Sequence, residues 1–502
     1  MTTQRNDLPV AIIGAGPIGL SAAANLIERG ITPLIFEKGA DVGAAIRQWG
    51  HIRLFSSWEH NIDPASRRLL EPTGWTEPRL TALPYGAELV EQYLNPLAAV
   101  PAISAALRTS STVTAVSRFG MDKTHSRDRN EQPFLVRVAT ADGTVVDHHV
   151  RAVIDTSGTW AQPNPLGQAG LPAPGETEAI AAGLITEPLA DVTGADRARF
   201  TGKHVLVIGA GHSAANTLIS LGQLAKNEPG TRITWAVRGA DASRLYGGGD
   251  LDGLPARGQL GTRLRGLVEE GHIELHTSFT TTAFSTTDQG LAVTGSTPNG
   301  DLTLTVDLLI PATGFRPDLD ILREIRLELD PIVEAPRDLG PMIDPEFHSC
   351  GTVPAHGAKV LAHPDKDFYI AGMKSYGRAP TFLMATGYEQ VRSIVAAVAG
   401  DQMAADQVHL ELPETGVCST DLGGSCDLPG VTGTEQDMAA DSCCSTPEPV
   451  VLGLPTVGGC GAPAEDTTAA QEAASSCCAA PEPVLIGIPT GLAHGRSATI
   501  TD

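Results

Sequence analysis

Long apolar runs and clusters of basic residues are both missing from this sequence, and each absence excludes a class of function. No stretch approaches the ~20 apolar residues that a membrane-spanning helix requires. The formal net charge is −23 and no block of lysine or arginine occurs, which argues against a nucleic acid or a membrane surface as partner. The run from Leu8 to Leu20 is interrupted by glycines and a proline, so we interpret it as a strand and turn rather than a signal peptide. We therefore expect a cytoplasmic protein.

Cysteine and aromatic residues are also scarce. Cys350 is the only cysteine in the first 417 residues, whereas the other seven fall between Cys418 and Cys478. In a reducing compartment we expect those seven to be thiols rather than disulfides. Aromatic residues make up 4% of the chain, so Trp49 and Trp58, which lie close together in sequence, are candidate pocket residues. Simple packing of two large side chains is an equally good interpretation.

A glycine-rich motif near the N-terminus indicates a dinucleotide site. Gly14, Gly16 and Gly19 follow the apolar segment 10–13 and precede an alanine-rich segment, which is the order strand, turn, helix. Gly14 permits the tight turn, Gly16 lets the backbone approach a pyrophosphate, and Gly19 allows close packing of helix and strand. The next predicted strand ends at Glu37, where a carboxylate can accept hydrogen bonds from ribose hydroxyls.

The same pattern recurs two hundred residues later. Gly209, Gly211 and Ala214 follow the apolar segment 204–208, and His212 inside the turn is a candidate nucleotide contact or cap. The strand after this motif ends at Arg238, whose guanidinium can bind a 2′-phosphate that a carboxylate would repel. The second site is therefore predicted to prefer NADPH over NADH. A solvated charge at a strand end is the alternative for Arg238.

The order of these patterns predicts an α/β protein in which one Rossmann-like domain interrupts another. A chain of 502 residues is expected to form about three domain-sized units. We assign residues 1–162 and 311–402 to the first dinucleotide-binding domain, 163–200 to a connector, and 201–310 to the inserted domain. Residues 403–502 form a low-complexity tail.

Two helices are predicted in the first domain. Residues 379–399 are interpreted as one long helix, with Pro380 suited to its first turn. Residues 86–107 show a helical apolar pattern, with a break expected near Pro96.

The two nested dinucleotide folds resemble the two-dinucleotide-binding-domain flavoproteins over about residues 8–402. The Glu-Lys and Gln-Trp-Gly pattern between Glu37 and Gly50 is similar to the flavin-containing monooxygenases. The stretch Gly372–Phe382 is similar to flavoproteins found beside bacterial arsenic-resistance genes. The resemblance implies FAD in the first site and NADPH in the second. The implied cofactor-binding residues are Gly14, Gly16, Pro17, Gly19, Glu37, Lys38, Gln48, Trp49, Gly209, Gly211, His212, Ser213, Arg238, Ala312, Thr313, Gly314 and Gly372.

Three functions follow from this resemblance. The leading hypothesis is an FAD-dependent, NADPH-using, monooxygenase-like oxidoreductase that acts on a small soft nucleophile, with a link to metalloid resistance. An NADPH-dependent reductase of a disulfide, quinone or metalloid is the first alternative, although no Cys-x-x-Cys lies in the core. A non-catalytic, thiol-rich metal(loid)-binding protein is the second. Because the cofactor carries the chemistry, no catalytic triad is expected, and Trp49, Trp58 and Cys350 are the candidate pocket residues.

The tail is rich in Ala, Gly, Pro, Ser, Thr and acids, a composition that favours disorder. Its segments 443–456 and 477–490 are nearly identical. The cysteine pairs in these repeats, Cys443, Cys444, Cys477 and Cys478, suit a soft ion such as As(III), Hg(II), Cu(I) or Zn(II). Incidental thiols and a partner-docking peptide are the alternatives.

One further group, His348, Cys350, His356 and His363, could bind zinc. Its spacing matches no closed zinc pattern, so we expect a pocket-lining loop instead.

Overall fold

The computed structural model describes residues 5–242, 246, 255–345, 353–380 and 382–410. The strands are β1 Val10–Ile13, β2 Pro33–Phe36, β3 Leu107–Arg108, β4 Ser111–Arg118, β5 Phe134–Thr140, β6 Val145–Val150, β7 Ala152–Asp155, β8 His204–Ile208, β9 Arg232–Ala236, β10 Glu274–His276, β11 Thr280–Thr287, β12 Gly290–Thr297, β13 Gly300–Val306, β14 Leu308–Pro311 and β15 Phe368–Ile370.

The α-helices are α1 Pro17–Glu28, α2 Ala44–Gln48, α3 Trp58–Asn61, α4 Pro64–Leu70, α5 Gly86–Leu89, α6 Asn95–Ala99, α7 Pro101–Ala106, α8 Glu176–Ala181, α9 Arg197–Phe200, α10 His212–Asn227, α11 Pro255–Glu269, α12 Gly340–Ile343, α13 Met384–Val398 and α14 Gln402–Asp406. A π-helical turn covers Val90–Leu94, and 3₁₀ turns cover Arg5–Asp7, Glu71–Thr73, Arg129–Glu131, Gln168–Gly170, Asp320–Leu322 and Gly372–Tyr376.

A five-stranded sheet in the order β15-β7-β1-β2-β3 forms the first dinucleotide fold. Its strands are parallel, with β1 between β2 and β7. Val10 and Ile12 face the core shared with helices α1 and α13, whereas Ala11 and Ile13 pack toward the antiparallel sheet β4-β5-β6. Both faces are covered, which is why β1 is apolar at every position.

A second parallel sheet in the order β10-β9-β8-β14 lies between β7 and β15 in sequence. Val205 and Val207 pack against the leucines of α10, and Leu206 and Ile208 pack toward the antiparallel sheet β11-β12-β13. The chain thus leaves the first sheet, builds a second one of the same kind, and returns. The predicted fold, with one Rossmann-like domain inserted into another, is confirmed.

Two helix predictions were wrong in their boundaries. Helix α13 begins at Met384, with the extended residue Leu383 before it, so Pro380 does not open it. The break in the 86–107 region falls at Val100 rather than at Pro96. Pro96 lies in the first turn of α6, where its missing N–H costs little, whereas Val100 precedes Pro101 and is extended for that reason.

Among the described residues, no helix combines the length and the apolar character needed to cross a membrane. The predicted low-complexity tail lies almost wholly outside the described residues; α14 is the part of it that the structure shows.

Candidate functional site

The three glycines of the first glycine turn differ in how much space surrounds the position of a Cβ atom. Gly14 has φ +99°, and a Cβ there would lie 3.0 Å from the Thr156 carbonyl oxygen. A Cβ on Gly19 would lie 2.0 Å from the Gly14 carbonyl oxygen. A Cβ on Gly16, by contrast, would meet no atom within 4 Å. Gly14 and Gly19 are therefore required by packing, whereas Gly16 leaves open space beside the N-terminus of α1, where a pyrophosphate fits.

Glu37 connects this turn to the end of β2. Its carboxylate accepts hydrogen bonds from the N–H groups of Ala15 and Gly39, both at 2.8 Å, and the side chain is buried. A carboxylate offers about four acceptor positions, so two remain for ribose hydroxyls. Pro17 is the first residue of α1, and Lys38 is exposed beside Glu37.

The second glycine turn repeats this geometry. Gly209 has φ +141°, and its Cβ would lie 2.0 Å from the carbonyl oxygen of Ala312, whereas a Cβ on Gly211 would meet nothing within 4 Å. His212 and Ser213 begin the sixteen-residue helix α10, so its N–H groups and positive dipole end face the open space. Arg238 is exposed just beyond β9, at the strand end where a 2′-phosphate is expected.

The Ala-Thr-Gly segment 312–314 connects two parts of the chain: the segment that leaves the first sheet after β7 and the segment that returns to it after β14. Asn164 donates from Nδ2 to the Thr313 carbonyl at 3.0 Å, and Thr313 Oγ1 donates to the Asn164 carbonyl at 2.7 Å. The Asn164 N–H also donates to the carbonyl of Gly314, which has φ +80°. These bonds tie the outgoing and returning segments together beside the second glycine turn, where Gly209 lies against Ala312.

A buried amide holds the turn after β15. Gln390 accepts the Gly372 N–H at 2.8 Å and donates from Nε2 to Ser375 Oγ at 3.0 Å. The same Nε2 lies 2.9 Å from His356 Nε2, and His356 Nδ1 lies 3.0 Å from the Pro354 carbonyl. Burial lowers the pKa of His356, as expected for a neutral ring that donates from Nδ1 and accepts at Nε2.

A buried ion pair lies behind the first glycine turn, and the sequence motifs did not predict it. Lys374 Nζ lies 2.7 Å from Asp155 Oδ2, and both side chains are fully buried. Ser157 Oγ bridges the pair, at 3.1 Å from Lys374 and 2.7 Å from Asp155. The signal that could have found it is a carboxylate ending the apolar strand β7 and a lysine two residues after Gly372.

A cavity of about 260 Å³ lies beside the second glycine turn, at the N-terminus of α10. Loop residues before α3, the first turn of α10 and the start of α13 supply most of its wall. The described lining residues are Trp49, Ile52, Arg53, Leu54, Phe55, Ser56, Trp160, Leu189, His212, Ser213, Asn216, Phe382, Leu383 and Met384.

Aromatic rings form much of that wall. Trp160 donates from Nε1 to Gln48 Oε1 at 2.8 Å, and its ring centroid lies 4.8 Å from that of Phe315. The ring of Phe55 lies 5.4 Å from that of His212, which joins the two domains across the cavity. The structure thus brings together Gln48, Trp49 and His212, which were predicted from sequence.

Of the other candidate pocket residues, the described Trp58 does not line the cavity. Trp58 is 3% exposed and packs in the core of the first domain, because it begins α3 with its side chain turned inward. Cys350 and the tail cysteines Cys443, Cys444, Cys477 and Cys478 lie outside the described residues. No described residue is a cysteine, and the described residues contain no group of three or more His, Cys, Asp or Glu able to hold a metal.

The sequence pattern of the pyridine nucleotide-disulphide oxidoreductases matches residues 8–335, which include both glycine turns and the cavity wall up to Asn216. The chain belongs to this family. It is a flavin-dependent oxidoreductase whose cofactors are FAD and NADPH, and both glycine turns fit these cofactors because each leaves open space at a helix N-terminus.

Individual relatives are distant. The chain is 47% identical over 49 residues to thiamine thiazole synthase from Pyrobaculum calidifontis, a match that covers 10% of this chain and 19% of that protein. The bacillithiol disulfide reductase from Bacillus cereus has a similar fold, with a TM-score of 0.58 and 20% identity over 78% of this chain and 99% of its own. A flavin-containing monooxygenase from Stenotrophomonas maltophilia gives 0.50 and 20%, over 78% and 98%.

Proposed function

We propose that this enzyme is a monooxygenase-like flavoprotein that oxidises a small soft nucleophile at sulfur, nitrogen or arsenic. The balanced reaction consumes the substrate, O₂, NADPH and one proton, and it forms the oxygenated substrate, NADP⁺ and water. The observation that carries the proposal is the aromatic cavity beside the second glycine turn, whose described wall contains neither a cysteine nor a carboxylate.

FAD, when bound, supplies the acceptor for hydride from NADPH. The residues of this chain supply placement and shielding. Trp49, Phe55, Trp160 and Phe382 present rings to the cavity and so exclude water from it. Gln390 and Ser375 hold the turn at Gly372, which keeps the end of β15 in position beside the first glycine turn.

The cavity size supports a small substrate. A volume of about 260 Å³ lies slightly below the usual range for drug-sized ligands, about 300–1,000 Å³. Arsenite belongs among the compounds to be tested, because the paired cysteines of the tail suit a soft ion.

The test uses the full chain loaded with FAD. Methyl p-tolyl sulfide and arsenite are supplied with NADPH and isotopically labelled dioxygen, and we expect substrate-dependent NADPH oxidation with one labelled oxygen atom in the product. NADPH oxidation that yields only hydrogen peroxide, with neither compound oxidised, would contradict the proposal.

A disulfide reductase is a second candidate, favoured by the family description. In that reaction one disulfide, one NADPH and one proton yield two thiols and NADP⁺. Anaerobic NADPH oxidation driven by glutathione disulfide, lost when Cys350 or the tail cysteines are replaced by serine, would support it over oxygenation.

A further inference from the structure

The wall of the cavity carries charge of one sign only. Among the described lining residues, Arg53 is the only lysine, arginine, aspartate or glutamate. The first turn of α10, with His212 and Ser213, borders the same space, but its positive helix end is the site expected for the pyrophosphate of NADPH. This positive wall belongs to a chain whose formal net charge is −23, so the attraction for an anion is local to the cavity.

Backbone pairing holds Arg53 in this position. Arg53 forms an antiparallel bridge with Tyr85, and the neighbouring Leu54 N–H donates to the Pro84 carbonyl at 2.8 Å. Arg53 Nε donates to the Leu83 carbonyl at 3.3 Å, and the guanidinium carbon lies 5.8 Å from the centroid of the Tyr85 ring. Within the described part of the chain Arg53 forms no salt bridge, so its Nη groups are placed to bind a ligand anion.

The lining residues differ in their exposure to solvent. Arg53 is the exposed member of the described lining set, Ser56 is buried, and the other residues are half-buried. Trp49, Phe55 and Trp160 are among the half-buried lining residues. These rings suit a flat apolar substrate, and the exposed Arg53 suits a negative group on it.

We infer that Arg53 makes this cavity selective for small aromatic substrates that carry a carboxylate or similar anionic group. The inference rests on the proposed function, because it concerns the substrate of the same cavity. The pyrophosphate of NADPH is another anion that Arg53 could bind, since α10 begins at the same cavity. The experiment separates these two sources.

The probes are three thioethers of similar size: para-(methylthio)benzoate, para-(methylthio)benzyl alcohol and para-(methylthio)benzylamine. Binding of each to the FAD-loaded full chain is measured by calorimetry, and sulfoxide formation is measured in parallel with NADPH and O₂. We expect the benzoate to bind about tenfold more tightly than the alcohol, as for a charge-assisted hydrogen bond, and the amine to bind most weakly. Arg53→Gln should remove this preference, and Arg53→Lys should restore part of it.

Arg127→Gln is the matched control, because Arg127 is exposed and does not line the cavity. It should leave the preference unchanged. Equal binding of all three probes to the native chain would overturn the inference. So would an Arg53→Gln variant that binds NADP⁺ more weakly but still prefers the benzoate, since Arg53 would then serve the dinucleotide. Anion-selective binding without any sulfoxide would leave the inference standing and refute the proposed oxygenation.

Discussion

At the scale of single residues, cofactor binding depends on two glycines that have open space beside them. Gly16 and Gly211 both have extended backbones that alanine adopts easily, and a Cβ at either position meets no protein atom within 4 Å. Each Cβ would instead occupy the space that a pyrophosphate needs. Substitution at these two positions should therefore affect the cofactors rather than the fold.

We predict that Gly16→Ala retains the fold but lowers FAD affinity by at least about tenfold, because it displaces a charged group from backbone N–H donors. Gly211→Ala should raise the KM for NADPH while FAD stays bound. FAD content, measured by absorbance, reports the loss of cofactor, and the melting temperature reports whether the fold is retained. Gly266→Ala in α11 is the control, since its Cβ also meets nothing within 4 Å but lies far from both turns in sequence. An unchanged FAD content in Gly16→Ala would contradict the site assignment.

The exposed Arg238 should determine which dinucleotide is used. We predict that Arg238→Ala weakens NADPH binding by about tenfold or more, because a charge-assisted bond to the 2′-phosphate is lost. NADH binding should change little, since NADH lacks that phosphate. Steady-state KM values for both cofactors measure the effect, and equal losses for the two would remove the assignment.

At the scale of elements, a buried carboxylate connects the loop between β4 and β5 to the returning segment before β15. Asp365 is 1% exposed and accepts hydrogen bonds from Arg129 Nε at 2.7 Å, Arg129 Nη2 at 3.0 Å and the Arg326 N–H at 2.7 Å. Arg118 lies behind it, with its guanidinium carbon 3.6 Å from the centroid of the Phe134 ring. Burial alone would raise the pKa of Asp365, but these hydrogen bonds outweigh burial and lower it.

We predict that Asp365→Asn lowers the free energy of unfolding by about 3–5 kcal/mol, because two arginines are left buried without their counter-charge. Since the pKa of Asp365 is lowered in the folded state, this stabilisation is present above its ordinary pKa of 3.8 and is lost as pH falls through the folded-state value. Denaturant titration at neutral pH measures it. The control is Asp320→Asn, which removes an ion pair whose two side chains are 79% exposed, and no measurable loss is expected there.

At the scale of the whole molecule, the catalytic body extends past the predicted boundary at residue 402. Helix α14 packs against α13, where Ser393 Oγ donates to the Ala405 carbonyl at 2.6 Å and Arg392 Nη1 donates to the Ala404 carbonyl at 2.8 Å. The His409 N–H also donates to Glu389 at 3.1 Å. The contacts of the first domain therefore continue at least as far as His409.

We predict that a chain truncated after Leu410 keeps FAD and its rate of NADPH oxidation, whereas truncation after Gly400 lowers the melting temperature because α14 is lost. Arsenite binding, measured by equilibrium dialysis, should fall sharply in the chain truncated after Leu410. It should fall equally in a full-length chain with serine at 443, 444, 477 and 478. Undiminished arsenite binding by both proteins would show that the tail thiols are incidental.

Local spacing was enough to predict both glycine turns, the strands before them and the nested order of the two sheets. Each of these depends on residues within about thirty positions of one another: an apolar run, a turn that only glycine adopts, and a helix start. Glu37 and Arg238 are predicted for the same reason, since each ends the strand that follows its motif. Helix ends were less predictable, because the start of α13 depends on the path of the chain from Gly372 rather than on Pro380.

The sequence by itself thus determined the fold and the positions of both glycine turns, because these follow from short-range backbone chemistry, and the family resemblance of its motifs implied the two cofactors. Only the tertiary structure decided which side chains meet. It placed Trp49 and Trp160 on one cavity wall and buried Trp58, and it paired Lys374 with Asp155 across more than two hundred residues. The physical reason is that side chains far apart in sequence converge only when the strands, helices and loops that carry them pack together, and no local pattern specifies which of them will face the same space.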